Sequence, residues 1–252
     1  MRRLLAALAS LAVFLVAWKA LTVLTGTPEY ILPAPEVVVM RALRAMGIGP
    51  GGTGILWAHA WATLTEVLLG FALGAATAVL TGVALGKSVV VERVLSPYIV
   101  AAQAVPVLAL APLLDIWFGG GLLARVLVCA LIVFFPIAIA TMVGIRSADP
   151  LLREMMRSLG ATPAQVTLRL EVPSAMPVLF GGLRVGVTLS VIGAVVAEWV
   201  SASVGLGVLI NIADQGLFDT PLMFVALVAL AVMGLAFYSL VVLAERHFVQ
   251  HA

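Results

Sequence analysis

The amino-acid sequence predicts an all-α integral membrane protein, and three observations carry that prediction. The chain of 252 residues is 63% hydrophobic and only 10% charged, which leaves too little polar surface to coat a water-soluble globule of that length. It holds six apolar runs with soft edges, over residues 4–24, 57–85, 94–118, 122–145, 177–200 and 221–243. Each is near or above the roughly 20 helical residues that cross a hydrocarbon core. The short alternating segments of about ten residues that build a membrane β-barrel are missing.

The first run opens MRRLL, as a cleaved signal peptide could, but its apolar stretch is long and no small-residue cleavage site stands near its end. Residues 1–25 are therefore read as a retained membrane helix. Basic residues set the orientation. With the N-terminus in the cytoplasm, the inside segments hold Arg2, Arg3, Lys87, Arg93, Arg146, Arg153, Arg157, Arg169 and Arg246. The outside segments then hold Arg41 and Arg44, with Arg125 just within the fourth run. The excess of inside cations predicts both termini in the cytoplasm. A net charge of +2 says nothing of nucleic acid, and a single cysteine, Cys129, excludes an intrachain disulfide.

Between the first two runs, residues 26–56 carry Pro and Gly punctuation around a short helix at 36–46, expected outside. Three glycines at 119–121 and the apolar segment 201–220 make the other outside links, the latter expected to pack as a re-entrant or interfacial helix. Gly70 with Gly74, Gly82 with Gly86, and Gly182 with Gly186 lie four apart and predict close helix approach, within the chain or at a subunit seam. No internal repeat or soluble domain interrupts residues 57–245, so the chain reads as one membrane domain.

Residues 149–173 stand apart. Asp149 and Pro150 form a helix start, Gly160 a stop, Thr162 with Gln165 a second start by the capping-box spacing, and Pro173 a second stop. The pattern predicts two short capped helices on the cytoplasmic face. A solvated loop and a docking site for another protein both fit it.

Glu154-Met155-Met156, three residues, Gly160, nine residues, then Leu170-Glu171-Val172-Pro173 resembles the cytoplasmic signature of ABC-importer permeases: E-A-A, three residues, G, nine residues, I-x-L-P. Both spacings agree. Met155 and Met156 replace the alanines, and Leu170 and Val172 replace isoleucine and leucine, apolar for apolar. AQAVPVLALAPLLDIWFGGG, VFFPIAIATMVGIRSADP and VIGAVVAEWVSASVGLGVLI are similar to the branch that imports nitrate, sulfonates, taurine and pyrimidine or flavin precursors. The resemblance implies a type I ABC-importer permease fold with six spans in a prokaryotic plasma (inner) membrane. It implies a homodimer served by a cytoplasmic ATPase, which binds ATP and Mg, and by an extracytoplasmic solute-binding protein. By position it implies that Glu154 anchors the ATPase contact and Gly160 makes its turn. Arg157, Leu159, Ala161 and Thr162 would form the contact surface, with Pro173 closing the element.

No chemistry is expected in the chain itself. GVALGKS, at 82–88, ends like a phosphate-binding loop but has three residues between its glycines instead of four and closes a membrane run. His59, His247 and His251 are scattered, and no nucleophile, base and acid group together. Neither a metal nor another cofactor is expected. Four charges fall at membrane depth: Glu66, Asp115, Arg184 and Glu198. Arg184 is expected to snorkel to the interface. Glu66 is placed near mid-bilayer, Asp115 near the outer end of its run. These acids are pathway candidates, with a structural interhelical bond the competing role. Three acids against one arginine disfavour an anionic cargo and favour a neutral or weakly basic heterocycle. Two other classes compete with the permease: an ion-coupled carrier using Glu66 and Asp115 as proton sites, and a membrane scaffold that recruits a cytoplasmic partner.

Overall fold

A computed structural model describes residues 2–216 and 218–249; Met1 and His251, which enter the sequence reading, lie outside them. The described residues form helices α1 (Arg2–Thr25), α2 (Pro35–Ala45), α3 (Ile55–Lys87), α4 (Val89–Ala104), α5 (Val107–Phe118), α6 (Leu122–Arg146), α7 (Pro150–Ser158), α8 (Pro163–Val166), α9 (Val172–Ser201), α10 (Leu206–Asn211) and α11 (Thr220–Val249). Among them, no strand forms. Four helical stretches are long and apolar enough to cross a membrane: Ile55–Lys87, Leu122–Arg146, Pro163–Ser201 and Thr220–Val249. α1 has 24 residues, and among its described residues the apolar stretch is Ala12–Thr25. Among the described residues four spans, or five with the bent pair Val89–Ala104 and Val107–Phe118 taken as one, stand against the expected six.

Two expectations are corrected. The run at 94–118 is not one helix: α4 and α5 meet at a bend of 96°. Pro106 causes the break, because a proline drives the residue before it out of the α region, and Val105 is extended at φ −77°, ψ 123°. Conversely, Pro173 does not end a helix. A π-helical turn over Thr167–Glu171 joins α8 to α9, with Val172 N–H donating to Thr167 O. Pro173 falls in the first turn of α9, directly after that π-helical turn.

The chain divides into two compact units, Met1–Ala62 with Val204–Ala231 and Thr63–Ser203 with Val232–Ala252. In the first, Trp18 of α1 stacks on Phe224 of α11 with ring centroids 5.6 Å apart. Arg41 of α2 pairs with Asp219 at 2.7 Å, and Asp219 also caps the start of α11 through Leu222 N. Glu36 pairs with Lys19, whose ammonium holds the carboxyl below the usual carboxylate range. α10 buries Leu206, Val208 and Leu209. His59 is buried, its Nδ1 2.6 Å from Gly205 O and 3.1 Å from Gly205 N.

In the second unit α6 is central. α3 runs parallel to it, with Gly70 against Cys129 and Gly82 against Thr141, so close that an added Cβ would stand 2.2 Å and 2.5 Å from theirs. α9 runs antiparallel to it, Gly182 facing Ala140 and Gly193 facing Cys129. The glycine pairs thus serve packing within the chain, where small residues let backbones approach without a hydrophobic drive. Val133, Ile137 and Ala138 of α6 fill the core with Ala78 of α3.

Candidate functional site

The segment at 149–173 folds by its local chemistry. Asp149 accepts from Leu151 N at 2.8 Å and caps α7, with Pro150 in the first turn. Gly160 at φ +79° turns the chain away, a conformation that suits glycine. Thr162 and Gln165 then exchange side-chain to backbone bonds of 2.8 and 3.3 Å, the reciprocal capping box. Glu154, Arg157, Leu159, Gly160 and Thr162 are exposed, and Ala161 and Pro173 half-buried. Leu151 is 74% and Leu159 78% exposed. A nine-residue helix that presents large apolar side chains beside charged ones has the composition of a docking surface.

Beneath this surface a network of charges holds the segment in place. Glu171, buried, accepts at Oε2 from Thr167 (3.0 Å) and forms ion pairs with Arg153 of α7, Nε to Oε1 3.2 Å, and with Lys87 of α3 at 3.7 Å. Lys87 also donates to Thr167 Oγ1 at 2.5 Å. Arg146 forks onto Glu92 of α4 at 2.7 and 2.9 Å and donates to the carbonyls of Leu85 and Gly86, the orphan end of α3. A cleft of about 320 Å³ opens between them, lined by Lys87, Arg146, Arg153, Arg157 and Glu171 among others. Sequence reasoning missed Glu171, which occupies the unspecified position of the signature, and saw Lys87 only as an inside cation and as part of a false phosphate loop. The available signal was a lone lysine closing one apolar run and a lone acid opening another.

The membrane-depth charges are sorted differently from expectation. Glu66 is fully buried and pairs with Arg125 Nη1 at 2.9 Å. Glu198, also buried, accepts from Thr63 Oγ1 at 2.5 Å. Thr63 and Glu66 are one turn apart on α3, so that turn reaches both the first turn of α6 and the last turn of α9. Glu66 therefore lies beside the first turn of α6 and the last turn of α9, about one-third of the way along the 33 residues of α3. Arg184 pairs with Glu245 of α11 at 2.8 Å instead of reaching for the interface alone. The balance of three acids against one arginine is corrected too, since Arg125 offsets Glu66. Asp115 is half-buried in the last turn of α5, and its carbonyl accepts from Gly119 and Gly120. Among the described residues no hydrogen bond or ion pair joins it to Glu66 or Glu198. Nor does any group of three His, Cys, Asp or Glu side chains among them have the arrangement to hold a metal ion.

Residues 70–250 match the family model described as the binding-protein-dependent transport system inner membrane component. The chain is 49% identical to the riboflavin transport system permease protein RibX of Chloroflexus aurantiacus over 96% of its length and 88% of the relative's. It is 35% identical to the formylaminopyrimidine transport permease ThiX of Halalkalibacterium halodurans, over 88% and 85%. To the taurine transport permease TauC of Escherichia coli the identity is 32%, over 91% and 84%. The fold is similar to a chain of the inward-facing MetNI methionine ABC transporter, with a TM-score of 0.67 at 20% identity over 81% of this chain and 99% of that one. The carrier and scaffold readings give way to these findings. The chain belongs to the family of binding-protein-dependent inner-membrane transport components: it is the permease subunit of an ABC importer, a multi-pass membrane protein of a transporter and not an enzyme.

Proposed function

We propose that this permease imports riboflavin or a closely related heterocycle, drawing the solute from an extracytoplasmic binding protein and the energy from a cytoplasmic ATPase that binds ATP and Mg. The observation that carries the substrate is 49% identity along nearly the whole chain to a riboflavin permease. Two copies assemble as a homodimer; α4, which buries none of its residues within the chain, supports a second copy beside it. Both termini lie in the cytoplasm. Residues 1–25 form the first membrane helix, 26–56 an outside loop and 57–245 the permease core.

Within the core, 149–173 is the coupling element. Glu154 and Gly160 anchor and turn it, and Arg157, Leu159, Ala161 and Thr162 meet the ATPase, with Pro173 at its close. The exposed leucines of a capped, charged helix support this placement. Closure of the ATPase dimer biases the membrane helices between two states. Of the pathway candidates, Asp115 faces the solute route, while Glu66 and Glu198 stand behind it and hold its wall together.

The test is uptake of radiolabelled riboflavin by proteoliposomes containing the permease, ATPase and binding protein, with taurine in parallel. ATP-dependent riboflavin uptake is expected. Taurine uptake without riboflavin uptake would overturn the substrate and leave the permease role standing.

A further inference from the structure

Docking of α7 on an ATPase does not by itself move a membrane helix, because α7 hangs between a short link from α6 and the turn at Gly160. One side chain stands where the connections meet. Glu171 ends the π-helical turn over Thr167–Glu171 at the entrance to α9, and its two carboxylate oxygens hold two different neighbours. Oε1 takes Arg153, from the first half of α7. Oε2 takes Thr167 and faces Lys87, the last residue of α3. Thr167 Oγ1 lies 3.0 Å from both Pro163 O and Glu171 Oε2 and can give its one proton to either, while it accepts from Lys87. The acid at the other node, Glu92, ties α4 to Arg146, which holds the end of α3, but touches nothing on α7.

We infer that Glu171 is a positioning residue for transport: it latches the coupling helix α7 to the end of α3 and the start of α9, so that displacement of α7 drives both spans. The inference rests on the coupling role proposed above. Its physical basis is that a buried carboxylate with cations on two separate helices resists their separation, since moving either cation away leaves an unpaired charge in a poorly solvated place. The hydrogen bond from Thr167 to Oε2 adds direction to the two ion pairs. A neutral amide of the same shape keeps the packing and loses the grip.

The test is hydrogen–deuterium exchange of the full permease–ATPase complex in lipid nanodiscs, nucleotide-free and with ATP plus vanadate as the probe. In the wild type, nucleotide is expected to alter exchange in α7 and in the adjoining end of α3. In Glu171→Gln the α7 response is expected to persist, while the nucleotide-dependent change at the end of α3 falls by about twofold or more in local opening. Glu171→Asp is expected to restore part of it. An end-of-α3 response in Glu171→Gln equal to wild type overturns the latch. If Glu171→Gln fails to assemble, Lys87→Gln decides, since Lys87 is half exposed: an unchanged α3 response there also overturns it. Absence of any α7 response in the wild type instead overturns the docking of α7.

Discussion

The unit of residues Thr63–Ser203 with Val232–Ala252 holds two buried carboxylate nodes that look alike in composition and differ in construction. In the first half of α3, Glu66 meets Arg125 and Thr63 meets Glu198, all between helices packed at glycine contact. At the end of α3, Lys87 meets Glu171, which also holds Arg153 on the exposed helix α7. The first node joins elements that are already held by close packing, so its charges stiffen a wall. The second joins an exposed helix to its support through long side chains with little else between them. The same ion-pair chemistry is a lock where packing surrounds it and a linkage where it does not.

Breaking the first node tests this contrast most strongly. Arg125→Ala leaves Glu66 buried without its cation and is expected to cost about 3–5 kcal/mol, read as a large loss of thermal stability of the purified permease in detergent. Glu66→Gln removes the charge but keeps a polar group of the same shape, and about 1–3 kcal/mol is expected by the same assay. The transport rate per folded complex should survive it. If Glu66→Gln lowers that rate while leaving the melting temperature alone, Glu66 lines the solute route after all.

The proposed coupling surface should respond in assembly more than in stability. Gly160→Asp forces a side chain into a left-handed turn at a cost of about 1–2 kcal/mol, and Glu154→Lys reverses the anchor charge. Both are expected to abolish co-purification with the ATPase while the permease still elutes as a folded membrane protein; co-purification at wild-type yield in both would move the docking site elsewhere. Thr162→Ala removes one half of the capping box, worth about 1 kcal/mol, and is expected to weaken ATPase binding only slightly. The smallest effect belongs to Arg184→Gln. Its pair with Glu245 is about one-third exposed on the arginine side, and a shift within about 1 kcal/mol is expected.

What could be read in advance tracks how local the cause is. The caps of α7 and α8 follow from residues within four positions of each other, so Asp149, Gly160, Thr162 and Gln165 disclose them without a structure. The break at Val105–Pro106 was equally local, but the apolar run on either side of it masked the proline rule. The glycine pairs announced close packing without naming the partner helix. The cations paired with Glu66 and Glu171 lie on other helices, and no periodicity or spacing in α3 or α9 selects Arg125 or Lys87 from the other cations.

The sequence alone determined that the chain crosses a membrane as helices, where the two short capped helices at 149–166 start and where Gly160 turns the chain between them, and which family it resembles. These rest on hydrophobic run length and on short-range backbone capping, both properties of contiguous residues. Only the tertiary structure decided that Arg125 offsets Glu66, that Arg184 is paired, and that Glu171 stands between α7, α3 and α9. Ion pairing depends on distance in space, and that distance is set by which helices pack together and in what register.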